Sequence, residues 1–393
     1  MFSVIIPTMW KYKPFPDFLE SIVNHHLVGE VVLFNNDTEN TPDHPVVRHS
    51  KIVQVRPKEN TGVNYPWNLG AALALNHHLC ILNDDLIFDL RVFEKVEKLL
   101  DDPETGMIGL HPGLDEFGQL PFRNGMIDIV EWKDVHTFGF GCLMFTNKKN
   151  YLTIPEGLKY YYGDHWYFDM NTALLRKNYL ITNMLFYTPY ATTASSLSNE
   201  DLMSETELFT NSYQPRIQRT KDVYRQLLAK FIEACDAESD INEHLPTLRE
   251  YALKCKHVTE FGVREGESTK AFLSTPTTFR AYDLYETEAA RSLFNLAKQA
   301  NKDVEYIIVD IMSVDIEDTD LLFIDTYHLY DHLTAELKKH GNKARKYIIL
   351  HDTKNAQSEL APAIIEFMAD NLHWQIELNK INNNGLLVLK RHE

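Results

Sequence analysis

The chain has 393 residues, of which 44% are hydrophobic and 24% charged, values that fit a globular protein. That length exceeds one ordinary core, so two domains are expected. The formal net charge is −17 and neither half is basic, which excludes the electrostatic footprint of a nucleic-acid binder and makes nucleic acid an unexpected partner.

In chain order, MFSVIIPTMW lacks a basic leader and a long apolar run, so FSVIIPT (2–8) reads as a strand and not as part of a signal peptide. DFLESIVNHHL (17–27) has helical spacing, EVVLFNND (30–37) and KIVQVRP (51–57) read as strands, and NYPWNLGAALALNHH (64–78) as a helix. HLCILNDD (78–85) is the next strand and LRVFEKVEKLLDD (90–102) an amphipathic helix. This alternation predicts a mostly parallel sheet covered by helices. Residues 103–215 are less regular, with HTFGFGCLMF (136–145), LKYYYGDHWYFDM (158–170) and a polar stretch, 196–215, that reads as a lid or linker.

From 218 the pattern turns helical, and at 257 a second alternation begins. Its strands are HVTEFG (257–262), FRAYDL (279–284), VEYIIVD (304–310), DLLFID (320–325) and KYIILHD (346–352), closed by a hairpin, 374–391, with an Asn-Gly turn. The domains expected are 1–215, a helical linker over 216–245, and 246–393. Cys80, Cys142, Cys235 and Cys255 form no CxxC pair and point to a reducing compartment. No apolar run of ~18 residues predicts a transmembrane helix. A cytoplasmic location follows as an expectation, and the protein is free to visit a membrane surface for its acceptor.

In open α/β sheets ligands bind beyond the carboxyl ends of the strands. Thr8, Asn36-Asp37 and Asp84-Asp85 all fall at such ends. Two adjacent carboxylates repel each other and lose water when buried. No Lys or Arg follows until Arg91, so a bound divalent cation is the natural counter-charge. An Asx turn or helix cap is the alternative use of the same residues.

SVIIPT, NND, ENTGVNYPWNLGAAL and LNDD, in this order and spacing over residues 1–190, resemble the family 2 glycosyltransferases, which have the glycosyltransferase A fold. The resemblance implies that Pro7, Thr8 and Asp37 hold the nucleotide base and that Asn60, Gly62 and Asn68 line the nucleotide pocket. It implies that Asp84 and chiefly Asp85 position a metal, Mn2+ or Mg2+, on the diphosphate. Such a cation offsets the charge that develops on a nucleoside-diphosphate leaving group. Asp164 matches the position of the family's catalytic base, with Gly163 replacing the usual Glu; a helix-capping role is the alternative. Tyr160–Tyr162, Trp166 and Tyr167 suit either sugar stacking or the core. The further metal-ligating His of many such enzymes is missing from FYTPYATTASSLS (186–198), leaving phosphates, water or His165 to complete the shell.

VTEFGVREGEST (258–269) follows a strand-turn-helix plan in which Gly262 and Gly266 allow close backbone approach. With AYDL, VDIMSVD, LLFIDTYHLYDHL and IILHDT, residues 240–393 resemble the class I S-adenosylmethionine-dependent O-methyltransferases, with a Rossmann-like fold. Glu260, Gly262, Gly266, Ser268 and Asp283 are the implied cofactor-binding residues. Asp310, or Ser313, is placed near the adenine. Asp325 and Asp352 are the implied magnesium ligands, and His328 the general base; a surface His at a helix start is the alternative. His351 suits a ligand or a buried strand-end residue equally.

The expectation is therefore a bifunctional, two-domain α/β enzyme. It transfers a sugar, with inversion, from a nucleotide-diphosphate donor to a glycan or glycoconjugate and O-methylates a sugar hydroxyl with S-adenosyl-L-methionine; a homo-oligomer is among the partner options. The alternatives are a glycosyltransferase with an inactive methyltransferase-like scaffold, a non-catalytic carbohydrate- or nucleotide-sugar-binding protein, and a nucleic-acid base glycosyltransferase.

Overall fold

The computed structural model describes residues 1–37, 39, 42–110, 124–132, 141–189, 198–354 and 359–392. The chain divides into two units, Met1–Gln218 and Arg219–Glu393. Among the described residues no helix is long and apolar enough to cross a membrane.

The first unit is built on an eight-stranded sheet. Its strands lie in the order Ile52–Val55, Val28–Asn35, Phe2–Thr8, His78–Leu82, Leu143–Asn147, Thr105–Leu110, Lys177–Thr182, Asp128–Trp132. The first four are mutually parallel, and Leu143–Asn147 joins antiparallel to His78–Leu82. Every residue of Phe2–Thr8 is buried, as a central strand covered on both faces requires. The helix Phe15–Asn24 buries Phe15, Leu19, Ile22 and Val23 on one stripe. The helix Asn64–Leu73 lies close on the central strand: a Cβ on Gly70 would sit 2.4 Å from the Ile5 side chain. That helix ends five residues before the sequence pattern predicts. Ala74 turns extended, and the buried Glu30 carboxylate accepts the Leu75 N–H and the Ser3 hydroxyl instead.

The polar stretch before residue 215 is not a lid or linker where it is described. Residues 196–197 lie outside the described residues; Ser198 caps a helix, Asn199–Leu208, by accepting the Asp201 N–H. Buried Glu205 accepts the N–H groups of Tyr160 and Tyr161, and Phe209 stacks on Tyr162. The polarity that suggests a loop belongs to the outer face of this helix.

The second unit holds seven strands in the order Val304–Ile308, Thr278–Asp283, His257–Phe261, Thr319–Ile324, Ala344–His351, Leu386–Arg391, Trp374–Lys380. The first five are parallel and the last two antiparallel, the Rossmann-like doubly wound plan with a closing hairpin. Asn383, Asn384 and Gly385 carry the left-handed backbone of the hairpin turn. Val223, Leu227, Phe231 and Ala234, one stripe of the helix Gln214–Asp236, are buried in this unit's core.

In both sheets the strand order reverses once among the parallel strands. The reversal falls between Phe2–Thr8 and His78–Leu82 in the first unit and between His257–Phe261 and Thr319–Ile324 in the second. A crevice opens at such a point because the loops on either side leave toward opposite faces.

Candidate functional site

In the first unit both sides of the crevice carry polar groups. The Thr8 hydroxyl donates to Asp84 Oδ2 at 2.5 Å, the Met9 N–H donates to the same oxygen, and the Trp10 N–H donates to Thr8 Oγ1. Asp84 thus ties the two central strands together. Burial pushes its carboxyl up to about 6, and neighbouring Asp85 adds to the rise against the hydrogen bonds. Arg91, the first cation downstream, is turned away: its guanidinium bonds Asp89 and the Gly125 carbonyl.

Asp164 comes from a distant segment. Tyr162, in the left-handed region, starts the helix Gly163–Ala173, and Asp164 in its first turn accepts the N–H groups of Gly141 and His165 at 3.1 and 2.9 Å. The adjoining Cys142 carbonyl accepts the Asn83 N–H, which brings the segment after residue 140 against the acidic turn. Burial raises the Cys142 thiol to about 12, and both Asp85 and Asp164 contribute. Gly141 and Cys142 thus link Asp164 on one side to the acidic turn on the other. Residues 136–140 of the glycine-rich segment lie outside the described residues. Gly163, where the family places Glu, has no room for a side chain: a Cβ would meet Asn64 Oδ1 at 2.1 Å.

The other sequence-predicted residues divide. Asn60 accepts the Gly62 N–H, and Gly62, at φ +79°, presses against the Lys159 carbonyl, where a Cβ would come to 2.5 Å. This loop is held by Asn36, whose amide donates to the Gly62 carbonyl and accepts from Thr61. Asn36 is the residue the sequence reading passed over in favour of Asp37, which accepts the Glu39 N–H. Pro7 sits buried in the central strand. Asn68 bonds Tyr151 and both backbone groups of Ile154, so its side chain holds a loop. Trp166 and Tyr167 are buried, and His165 packs edge-on to Tyr162. Among the described residues no group of three metal-ligating side chains includes Asp84 or Asp85.

In the second unit Glu260 ends the first strand fully buried, accepting from Ser268 Oγ and Thr269 Oγ1. Burial raises it to about 8, against those two hydrogen bonds. Gly262, at φ +83°, approaches the Asp325 carbonyl so closely that a Cβ would stand 2.1 Å from that oxygen. Asp283 Oδ2 accepts the N–H groups of Val263 and Arg264, fixing the glycine loop, and Oδ1 accepts from Tyr285. Gly266, at φ +87°, caps the next helix, Glu267–Leu273. Asp310 caps a short turn by accepting the Met312 N–H, while Ser313 donates to the Asp310 carbonyl.

Asp325, His328 and Asp352 converge. His328 Nε2 lies 2.9 Å from Asp352 Oδ2 and 3.5 Å from Asp325 Oδ1. Buried His351 places Nδ1 3.4 and 3.5 Å from the same two oxygens. The carboxylates raise His328 to about 9, and on His351 they outweigh burial and bring it to about 10. In return both carboxyls are held below their usual range, although burial alone would raise them. Asp352 has φ +57°, a strained value for a non-glycine residue, and its Oδ1 is buried without a hydrogen-bond partner. Beside the cluster, fully buried Glu336 receives the Thr326 hydroxyl and meets His332 Nε2 at 3.1 Å. Nothing in the sequence but the helical spacing of His332 and Glu336 announced that contact.

The two sheets define the class: two α/β units, a glycosyltransferase A-like fold in the first and a Rossmann-like doubly wound fold in the second. Residues 3–152 match the family model for glycosyl transferase family 2. Among solved structures, S. aureus TarS 1-349 in complex with UDP-GlcNAc is similar over 56% of this chain and 70% of that one, at 15% identity and a TM-score of 0.41. The O-methyltransferase from Bacillus cereus in complex with SAH is similar over 44% of this chain and 91% of that one, at 16% identity and a TM-score of 0.32. A methyltransferase from Geobacter sulfurreducens is similar over 43% and 89%, at 15% identity and a TM-score of 0.32. At these scores the likenesses carry no residue role. No curated protein matches the chain.

Proposed function

We propose that the chain joins two group transfers: a sugar from a nucleotide-diphosphate donor at the first crevice, and a methyl group from S-adenosyl-L-methionine to a sugar hydroxyl at the second. The observation that carries the reading is the convergence of Asp85 and Asp164, 79 positions apart, around Cys142. In this reading the acceptor oxygen attacks the anomeric carbon while Asp164 takes the hydroxyl proton. The bond to the diphosphate breaks and its electron pair leaves with the nucleotide. A divalent cation held by Asp85 would offset that charge. Thr8 fixes Asp84, and Asn36 holds the Asn60–Gly62 loop at the rim.

In the second unit Glu260, Gly262, Gly266 and Asp283 form the cofactor cradle. The carbon–oxygen bond forms as the carbon–sulfur bond breaks, and S-adenosylhomocysteine leaves. Asp325 and Asp352 fit a divalent cation, since they present two carboxylates and an unpartnered buried oxygen. Such an ion would hold the acceptor hydroxyl and favour its ionised form.

The test is release of nucleoside diphosphate from a panel of sugar nucleotides with manganese, using the whole protein. Asp85→Ala should abolish it; unchanged turnover in that variant refutes the transferase reading. Calorimetry with S-adenosyl-L-methionine tests the second site, and no heat of binding would leave that unit a scaffold. That second reading draws on Asp283, whose carboxylate already serves the backbone of the glycine loop.

A further inference from the structure

Sequence position casts His328 as a proton acceptor, three residues after Asp325. Its surroundings differ from those of a free base. Nε2, the atom that would take the proton, points between two carboxylates at 2.9 and 3.5 Å. Neither approach is aligned as a hydrogen bond, and the nitrogen counts as buried without an in-line partner. Asp352 Oδ1 is likewise buried and unpartnered, on a residue only 3% exposed. The His328 nitrogen thus lies beside one carboxylate oxygen of each aspartate, the arrangement of ligands around a common centre.

The spacing supports this. Donor atoms about 2.1 Å from a shared ion stand about 3.0 Å apart along an octahedral edge and about 3.4 Å apart along a tetrahedral one. The 2.9 Å from His328 Nε2 to Asp352 Oδ2 matches the octahedral edge, and the 3.5 Å to Asp325 Oδ1 is about half an ångström longer. One oxygen each from Asp325 and Asp352 and the His328 nitrogen all lie within 4.8 Å of one another. Outside this set, His351 Nδ1 faces Asp325 Oδ1 at 3.4 Å, the place of a group that orients a ligand carboxylate. Fully buried Glu336 anchors Thr326, the residue after Asp325, and so stiffens the loop that carries His328.

We propose that His328 is the third protein ligand of a divalent-cation site with Asp325 and Asp352, and that this one-nitrogen, two-carboxylate set selects a transition ion such as Mn2+, Fe2+ or Co2+ over Mg2+. Magnesium prefers an all-oxygen shell, whereas imidazole suits the later metals. Three protein ligands leave adjacent positions open on a six-coordinate ion, so the matching acceptor presents two neighbouring oxygens, as a vicinal diol of a sugar does. The inference rests on the methyltransferase reading for that acceptor, but not for the ligand set.

The experiment uses the full chain carrying Asp85→Ala, which silences the first crevice, with no nucleotide present. Mn2+ is the probe, followed by calorimetry and by electron paramagnetic resonance for nitrogen coupling to the ion. One Mn2+ should bind with nitrogen coupling and resist a tenfold excess of Mg2+. Adding His328→Ala should weaken binding at least tenfold and remove the coupling, while S-adenosyl-L-methionine binding persists as the control for folding. Equal affinity and unchanged coupling in the His328→Ala protein overturn the proposal, as does the absence of bound Mn2+. Bound Mn2+ with coupling that depends on His328, in a protein that binds no S-adenosyl-L-methionine, would support the ligand set and sink the methyltransferase reading alone.

Discussion

Both units place two carboxylates at the carboxyl ends of central strands, and the two pairs have opposite electrostatics. Asp84 faces the Thr8 hydroxyl and the Met9 amide, and burial pushes it up to about 6. Asp325 and Asp352 face His328 and His351 and are held low. The first carboxylate is held by neutral donors and stays high, and the second pair is held low by two imidazoles.

The comparison breaks most sharply at Asp85. Asp85→Ala is expected to lower sugar-nucleotide turnover by roughly a hundred-fold or more, the scale of losing a main electrostatic stabiliser of a leaving group. Thermal stability should hardly change, because the substitution removes like-charge repulsion from Asp84; initial rates and melting curves check both halves. Asp164→Asn keeps the shape of the side chain and removes the proton acceptor. It should cost about 10²–10⁴-fold in transfer with donor affinity kept, measured as kcat against KM. A normal kcat would return Asp164 to helix capping.

Gly262→Ala probes the second crevice. A Cβ there meets the Asp325 carbonyl, and φ is positive, so about 1–3 kcal/mol of strain is expected. The readouts are a lower melting temperature for the second unit and weaker S-adenosyl-L-methionine binding. The smallest effect concerns pH. Glu260 is raised to about 8 from an ordinary value near 4.5, so the folded chain holds a proton there that the unfolded chain releases. Its contribution to stability is full below pH 4.5 and is lost as pH rises through about 8. Glu260→Gln should flatten that slope in unfolding curves recorded between pH 5 and 8.5; an unchanged slope would place its origin elsewhere.

Much of this was legible in the residues. The alternation of apolar runs and helical stretches marks both sheets, because strands buried on both faces must be apolar throughout. Strand-end acids were visible for the same reason: polar residues interrupt such runs where the chain leaves the sheet. Local periodicity misjudged the end of the helix Asn64–Leu73, since the stop comes from Glu30, remote in sequence. It also misjudged 198–215, where a helix buries little beyond Glu205 and Phe209 and so reads as polar.

The sequence by itself determined the functional groups on offer: acids at strand ends, a glycine loop, and the order in which they come. Which atoms meet was decided only by the tertiary structure. Asp84 turns to Thr8 while Arg91 turns to Asp89; Asn64 fills the space over Gly163; His328 and His351 close on Asp325 and Asp352. Composition and spacing set the polarity of a segment, because that depends on neighbours along the chain. The direction of a charge is fixed by groups tens of residues away, and only the packed sheet brings them within reach.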